Sequence, residues 1–237
     1  MDQVAGVHLS VIVPAYNEEL RLAKSLPVIL SYLERQSFTW ELIVVDDGSR
    51  DETSAVAQSV GGKRVRVLRN SPNAGKGASI KRGMLEAQGK WRLFTDADLS
   101  TPIDALDTFW QFTEKGADVV IGSRALPGSK LEVRQPRSRE LLGRVFNAFV
   151  QTFLVQGIFD TQCGFKLFSA RAAEAIFPPQ ELAGFAFDVE ILILARKLGF
   201  CVTEAPVSWR NDPGSKVSTL AGARGFYDLI SLRLRKK

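Results

Sequence analysis

Residues 40–49 read WELIVVDDGS. Four consecutive aliphatic residues, Leu42 to Val45, run into two acids and a glycine. A half-exposed strand alternates apolar and polar side chains. An unbroken Val/Ile/Leu run is the pattern of a parallel strand buried on both faces. Burial on both faces needs helices on both sides of a sheet, so strands and helical segments should alternate outward from this stretch.

They do. Residues 8–16, HLSVIVPAY, read as the preceding strand, ending at Pro14. A helix is expected over 17–36, with Asn17 as its cap and acids in its first turn. After the quoted strand come a short helix over 49–60, a strand over 63–70 and a helix over 75–89 that begins at a Gly-Lys-Gly turn. A strand over 91–98, a helix over 101–116 with Pro102 near its first position, and a strand over 117–124 complete the half. This rhythm predicts an α/β fold: a mostly parallel, twisted sheet flanked by helices. In such sheets ligands gather at the carboxyl ends of the strands. The polar clusters lie there: Tyr16-Asn17-Glu18, Asp46-Asp47, Asp96-Ala97-Asp98 and Ser123-Arg124.

The second half is less regular. Residues 125–140 form a basic loop with Pro and Gly, followed by a helix over 138–157. A strand over 163–170, an apolar helix over 185–199, an edge strand over 201–209 interrupted by Pro206, and a basic terminal helix over 218–237 follow. No repeat, low-complexity tract or linker divides the chain, so a single domain over 1–237 is expected.

Composition narrows the chemistry. The 237 residues are 45% apolar and 24% charged, as in an ordinary soluble globule. The net charge of +5 suits phosphate-bearing small molecules, nucleic acid or an anionic membrane, and serves plain solubility equally well. The basic residues are not interleaved with aromatics as in a nucleic-acid module. Cys163 and Cys201 provide no disulfide framework and read as reduced thiols of a cytosolic protein. His8 is the only histidine, which argues against a Ser-His-Asp triad and a His-based metal centre. No signal peptide is visible. The longest uncharged run, residues 145–159, is shorter than the roughly 20 apolar residues of a membrane span.

Four constellations carry chemistry. There is no GxGxxG and no Walker loop, but NAGKGAS at 73–79 sets Lys76 at a helix start, where it points at a phosphate or into solvent. Asp46 and Asp47 end a strand, where they accept from a base N–H or a ribose hydroxyl, or cap the next helix. Asp96 and Asp98 stand two apart at the end of the 91–98 strand. On an extended segment they would point the same way, and a divalent cation would cancel their repulsion and bridge a diphosphate. Arg124, Arg134, Arg137 and Arg139 form a basic cluster suited to bidentate phosphate contacts, or a solvated basic loop.

SVIVPAYNEE, ELIVVDDGSRDET, NAGKGASIKRGM, LFTDADLSTP and VIGSR, in this order, resemble the inverting family 2 glycosyltransferases of the GT-A fold. DTQCGFKLFSA, FAFDVEIL and VSWRNDPGSKVS resemble more specifically the polyprenyl-phosphate sugar transferases, above all the dolichyl-phosphate β-glucosyltransferases. The resemblance spans residues 8 to about 233. It implies a nucleotide-binding half over about 1–125 and an acceptor-binding half over about 126–237.

Residue by residue, it implies that Pro14, Ala15, Tyr16, Asn17 and Glu18 line the nucleotide and that Asp46, with Asp47 beside it, reads the base. Lys76, Asp96 and Ala97 would contact the nucleotide sugar. Asp96, Asp98 and Ser100 would hold Mg²⁺ or Mn²⁺. Arg124 and Arg137 would clamp phosphate, and Asp188 and Glu190 would supply a base or a hydroxyl-binding acid. On a helix those two acids do not share a face, so one is expected in the site and the other in a structural role. Arg139, Phe165, Lys166, Ser215 and Lys216 would lie around the acceptor.

The implied reaction moves glucose from UDP-glucose to a polyprenyl phosphate. GDP-mannose as donor, or a saccharide hydroxyl as acceptor, are the alternatives; a non-catalytic nucleotide-sugar-binding module is the rival of another class. Eukaryotic members carry an N-terminal membrane anchor, whereas this sequence starts almost at its first strand. The expected membrane contact is therefore peripheral, on the cytoplasmic face. It would run through the amphipathic helix over 138–157 and the terminal helix with Leu229, Ile230, Leu232 and Leu234.

Overall fold

The computed structural model describes residues 6–133, 150–152, 154–211, 228, 229 and 231. The first half forms β1 (Leu9–Ala15), α1 (Glu19–Glu34), β2 (Trp40–Asp46), α2 (Thr53–Gly61), β3 (Val65–Arg69), α3 (Lys76–Glu86), β4 (Trp91–Thr95), α4 (Ala105–Glu114) and β5 (Val119–Ser123). The second half adds β6 (Lys130–Val133), β7 (Phe165–Ser169), α5 (Ala170–Ile176), α6 (Phe187–Lys197), β8 (Val202–Pro206) and β9 (Ser208–Arg210). The expected alternation of strands and helices is present throughout the first half.

The main sheet has seven strands in the order β3-β2-β1-β4-β7-β5-β8. β7 is antiparallel to both β4 and β5, while the neighbouring pairs β1–β2, β1–β4, β2–β3 and β5–β8 are parallel. β8 lies at the edge, where Pro206, which has no N–H, is tolerated.

The unbroken aliphatic runs are explained by two cores. Val11, Val13, Leu42, Val44 and Leu93 face the layer with α1, α2 and α4. Ile12, Ile43, Val45 and Phe94 face the layer with α3, α5 and α6. Each such fully buried side chain contributes about 1.5–3 kcal/mol relative to exposure.

Several expectations are corrected. The 125–140 loop contains a short strand, β6, which pairs with β9 in a separate two-stranded sheet. The strand expected over 201–209 is two strands, broken after Pro206. α5 follows β7 directly, started by Ser169, whose hydroxyl accepts from the Ala172 N–H at 3.2 Å. α1 begins at Glu19, and Asn17 is in the left-handed region (φ 54°), so it does not cap the helix. Of the helix expected over 138–157, the described residues are helical at 150–152, and Leu154 is in a turn. Leu229 is fully buried in the second core, so that position of the terminal segment does not face a membrane. No helix among the described residues is long and apolar enough to cross a membrane.

The two cysteines differ sharply. Cys201 is exposed, whereas Cys163 is buried in the first core. Burial, reinforced by the charge of Asp160, pushes the Cys163 thiol up to about 11. A thiol reagent at pH 8 should therefore modify Cys201 quickly and Cys163 only after denaturant is added. Two fast thiols in the native protein would contradict this placement.

Candidate active site

The carboxyl ends of β1, β2, β4 and β5 converge on one rim. The reversed direction of β7 brings its beginning to the same rim, since Phe165 pairs with Thr95, the last residue of β4. Residues before β7 thus lie beside residues after β4, although about 70 positions separate them in sequence.

The loops after β1 and β2 are laced together. The Asn17 N–H donates to Ser49 Oγ at 2.9 Å, and Asn17 Oδ1 accepts from the Arg50 N–H at 2.8 Å. The Glu18 N–H donates to Thr53 Oγ1 at 2.8 Å, and both Glu18 carboxylate oxygens accept from Arg21 Nη1, at 2.9 and 3.0 Å. Pro14 and Ala15 end the buried strand β1, and Tyr16 is exposed on the rim. Asp46 is fully buried and accepts from the Ser49 N–H at 2.8 Å and from the Ser54 hydroxyl. Asp47 accepts from the N–H groups of Ala74 and Gly75, at 2.9 and 2.8 Å, and from Asn70 Nδ2 at 2.8 Å. Both carboxylates therefore shape loops in this structure: Asp46 its own, Asp47 the turn that presents Lys76.

That turn is held from the other side as well. The Gly77 N–H donates to the Ala183 carbonyl at 2.7 Å, and Gln180 Nε2 donates to the Gly77 carbonyl at 3.0 Å. A Cβ on Gly77 would lie 2.5 Å from the Leu182 carbonyl oxygen and 2.7 Å from Phe187 Cβ, so a side chain there would push the turn away. The 180–184 segment is itself gripped by Glu190, which accepts from the N–H groups of Glu181 and Leu182 at 3.0 and 2.7 Å. Glu190 is fully buried, and both its oxygens accept from backbone. These bonds give it a part in holding the 180–184 segment.

Lys76 Nζ lies 2.6 Å from Asp96 Oδ1 and 5.9 Å from the centre of the Phe185 ring. Burial works against its ammonium, but Asp96, Asp188 and Asp98 together hold its pKa above the ordinary value. Asp188, on the first turn of α6, is buried and paired with Lys166 Nζ. Burial pushes the Asp188 carboxyl up, against the pull of Lys166 and Lys76. Lys166 is fully buried, 5.3 Å from the centre of the Phe94 ring. Phe165, one residue earlier, points to the opposite face and packs edge-on against Phe109 in the first core. It is a core residue and not an acceptor contact, because a fully buried ring presents no surface.

The metal-type pair is arranged differently from expectation. β4 ends at Thr95, and residues 96–99 form a turn in which the Leu99 N–H donates to the Asp96 carbonyl at 3.1 Å, with Leu99 at φ 49°. The acids stand on that turn and not on an extended strand. Ala97 between them is buried. Asp98 Oδ1 accepts from the Ser100 N–H at 2.9 Å, and the Ser100 carbonyl accepts from the Arg210 N–H at 2.8 Å. Burial, then the charge of Asp96, pushes the Asp98 carboxyl up. A Cβ at position 164 would fall inside the Asp96 carboxylate, so only glycine leaves that carboxylate its place.

Among the described residues no three or more His, Cys, Asp or Glu form a group that would hold a metal ion by themselves. Two crowded carboxylates are a partial oxygen sphere. That fits a hard divalent ion whose other positions are filled by water and substrate phosphates. A cleft of about 590 Å³ opens beside Asp98, lined also by Asn17, Glu18, Arg21, Asp51 and Leu99, and is of ligand-binding size.

Arg124 is engaged within the protein. Its Nε and Nη2 donate to Asp160 Oδ2 and Oδ1 at 2.6 and 2.8 Å, and its backbone N–H donates to Oδ2 at 2.9 Å. The guanidinium lies 5.2 Å from the centre of the Trp209 ring. Burial works against the Asp160 carboxylate, but Arg124 holds it below the usual carboxylate range. The expected phosphate clamp is here a fork closed on a carboxylate. Arg134, Arg137, Arg139, Ser215 and Lys216 lie outside the described residues.

Residues 10–177 match the family described as Glycosyl transferase family 2. The chain belongs to that family. This glycosyltransferase is 38% identical to the dolichyl-phosphate β-glucosyltransferase of Dictyostelium discoideum, over 98% of this chain and 76% of that protein. It is 38% identical to the human protein of the same name, over 96% and 75%. With that of Saccharomyces cerevisiae the identity is 33%, again over 96% and 75%.

Among solved structures, it shares its fold with mannosyl-3-phosphoglycerate synthase from Rubrobacter xylanophilus (TM-score 0.71, 21% identity, 97% of this chain and 75% of that one). It also shares it with glucosyl-3-phosphoglycerate synthase from Mycobacterium tuberculosis in complex with Mn²⁺, UDP and phosphoglyceric acid (TM-score 0.62, 24% identity, 88% and 72%). The GT-A architecture expected from the motifs is the one observed.

Asp160, Gly164 and Trp209 fall inside the stretches DTQCGFKLFSA and VSWRNDPGSKVS, which do not reveal their partners, and Gln180 lies in none of the quoted stretches. No spacing links residue 124 to 160 or 96 to 164 until β7 is placed between β4 and β5.

Two substitutions test this construction. Glu190→Ala leaves the Glu181 and Leu182 N–H groups without acceptors, at about 1–3 kcal/mol each. The urea midpoint should fall accordingly, with the m-value unchanged. Gly164→Ala should displace the Asp96 carboxylate and break its contact with Lys76. Expected are a melting temperature lowered by a few degrees and a far larger loss of glycosyl transfer; unchanged transfer would refute the close approach.

Proposed function

We propose that this glycosyltransferase moves glucose from UDP-glucose to the phosphate of a polyprenyl phosphate, dolichyl or undecaprenyl, with inversion, at the cytoplasmic face of a membrane. One observation carries the reading. The Lys76–Asp96–Asp98 cluster stands at the strand ends beside an open cleft, in a chain 33–38% identical over nearly its whole length to dolichyl-phosphate β-glucosyltransferases.

In this reaction the bond from the anomeric carbon to the β-phosphate oxygen breaks, and its electron pair leaves with UDP. A bond forms from that carbon to an acceptor phosphate oxygen on the opposite face, which turns the α linkage into β. A phosphomonoester has its second pKa at about 6, so the attacking oxygen is already largely anionic and no strong base is needed. Asp96 and Asp98 would hold Mg²⁺ or Mn²⁺, which when bound supplies Lewis-acid neutralisation of charge on the leaving diphosphate. The Mn²⁺ and UDP bound by the fold relative from M. tuberculosis support this assignment. Lys76 holds Asp96 in place and adds a cation near the departing group. The turn clamped by Asp47 and the 180–184 segment fixes Lys76 in advance, so little reorganisation is left for the reaction. Membrane contact is peripheral in this reading.

Asp98→Ala tests it. The variant should melt within a few degrees of wild type, since Asp98 is partly exposed and its hydrogen-bonding partner Ser100 is local. It should lose metal-dependent UDP binding, and transfer of labelled glucose from UDP-glucose into solvent-extractable lipid should fall by about 100-fold or more. Transfer that survives the substitution would sink the metal assignment. Transfer from GDP-mannose and not from UDP-glucose would sink the donor.

A further inference from the structure

The β6–β9 ribbon is rooted beside the site. The Arg210 N–H donates to the Ser100 carbonyl at 2.8 Å, two residues after Asp98. The Lys130 N–H donates at 3.2 Å to the carbonyl of Val207, a residue of the first core. The Arg124 guanidinium, held by Asp160, lies over the Trp209 ring. Beyond these anchors all of β6 is exposed, Leu131 by 41% and Val133 by 39%. A two-stranded ribbon is marginal by itself and needs a surface to lie on. Single exposed aliphatics are ordinary, but position and charge set this pair apart. Leu85 and Leu198 are at least as exposed, yet they stand at the far ends of α3 and α6, whose first turns carry Lys76 and Asp188. Lys130 and Arg210 are exposed, and neither has an acid partner among the described residues. Glu132 is the one acid of the ribbon. In sequence, Arg134, Arg137, Arg139 and Arg144 follow at once, against Glu140.

We propose that the β6–β9 ribbon docks on a bilayer surface carrying anionic lipid. Leu131 and Val133 enter the boundary between headgroups and acyl chains, and Lys130 and Arg210 face lipid phosphates. Binding of this kind grows with the apolar area inserted and with the attraction of cations to anionic headgroups. The purpose of the contact rests on the function proposed above; the contact itself does not. An acceptor anchored in a membrane by its polyprenyl chain presents its phosphate only at the bilayer surface. An element that docks there, bonded to the turn carrying Asp98, brings the strand-end rim to that phosphate without drawing the chain out of lipid, where its apolar surface would meet water. Charge decides between a membrane and a second copy of the chain as occupant. Two such faces together would oppose Lys130 and Arg210 to their own kind, whereas an anionic leaflet complements them.

Flotation of the full chain with vesicles tests the docking, using phosphatidylcholine alone and phosphatidylcholine with phosphatidylserine. Wild type should float with the anionic vesicles, and less so as salt rises. Leu131→Ser/Val133→Ser and, separately, Lys130→Glu/Arg210→Glu should each weaken that partitioning by about tenfold while melting close to wild type. Leu198→Ser should float as wild type does. A dye reads the contact without weakening it. In a Cys201→Ser background, an environment-sensitive dye on Leu131→Cys should shift to the blue on the anionic vesicles, and the same dye on Leu198→Cys should not. A floating protein with an unshifted dye at position 131, or ribbon variants that float like wild type, would overturn the proposal. A blue shift on concentrating the protein without vesicles would assign the face to a second copy and overturn it too. Glucose transfer supplies the link to function. Leu131→Ser/Val133→Ser should lose about tenfold on polyprenyl phosphate held in the vesicles and nothing on a short, water-soluble prenyl phosphate. Equal losses on both would place the ribbon in the catalytic machinery and overturn the docking role. A wild type that floats, with the dye shifted, yet glucosylates neither phosphate would overturn the proposed function and leave the docking surface standing.

Discussion

The ammonium of Lys76 between carboxylates is the contact on which the rest of the site depends. Asp96, Asp98 and Asp188 crowd one rim of the sheet. Like charges crowded together repel more strongly in the protein's lower effective dielectric than in water. Without a cation such a group would splay apart or take up protons. Lys76 reaches this position because a glycine on either side lets the turn pack against the 182–183 backbone. The turn is held by Asp47 on one side and the Glu190-gripped segment on the other. A surface lysine would gain little from such a pair; here burial and preorganisation raise what the contact is worth.

The second constraint is the direction of one strand. An all-parallel sheet would put the residues preceding β7 at the far edge, away from the carboxyl ends. Inserted antiparallel between β4 and β5, β7 delivers Asp160 to Arg124 and Gly164 to Asp96. Its two faces then diverge. Phe165 and Leu167 enter one core, while Lys166 faces the other layer and meets Asp188 on α6. One strand therefore joins the metal-type acids of the first half to Asp188 on α6 in the second. That is why both halves contribute to one rim without a domain boundary between them.

Local pattern made much of this legible. WELIVVDDGS reads as a doubly buried parallel strand, and it is one, because burial on both faces leaves a direct mark on composition. Loop residues were harder. Asp46 and Asp47 look alike in sequence, yet one braces its own loop while the other cradles the Lys76 turn. Asp188 and Glu190 are two positions apart on α6 and take separate parts, as the 3.6-residue period demands. Phe165 was misplaced because a motif records proximity to a site but not which face of a strand a side chain takes. Asp160 and Gly164 lie in the family-like stretch DTQCGFKLFSA, but that stretch does not name their partners, which topology sets.

The environment of Asp188 bears on the choice of acceptor. A general base needs an accessible carboxylate with a pKa suited to taking a proton at the working pH. Asp188 is 2% exposed and is held by Lys166, a residue with no exposure at all. Burial favours its neutral form, but a proton taken up there would leave the buried Lys166 ammonium without its partner. A hydroxyl acceptor would demand that step; an anionic phosphate acceptor would not. In the proposed reaction, then, the pair serves as a neutral, rigid wall beside Lys76. What it contributes is the fixed field in which the leaving diphosphate departs.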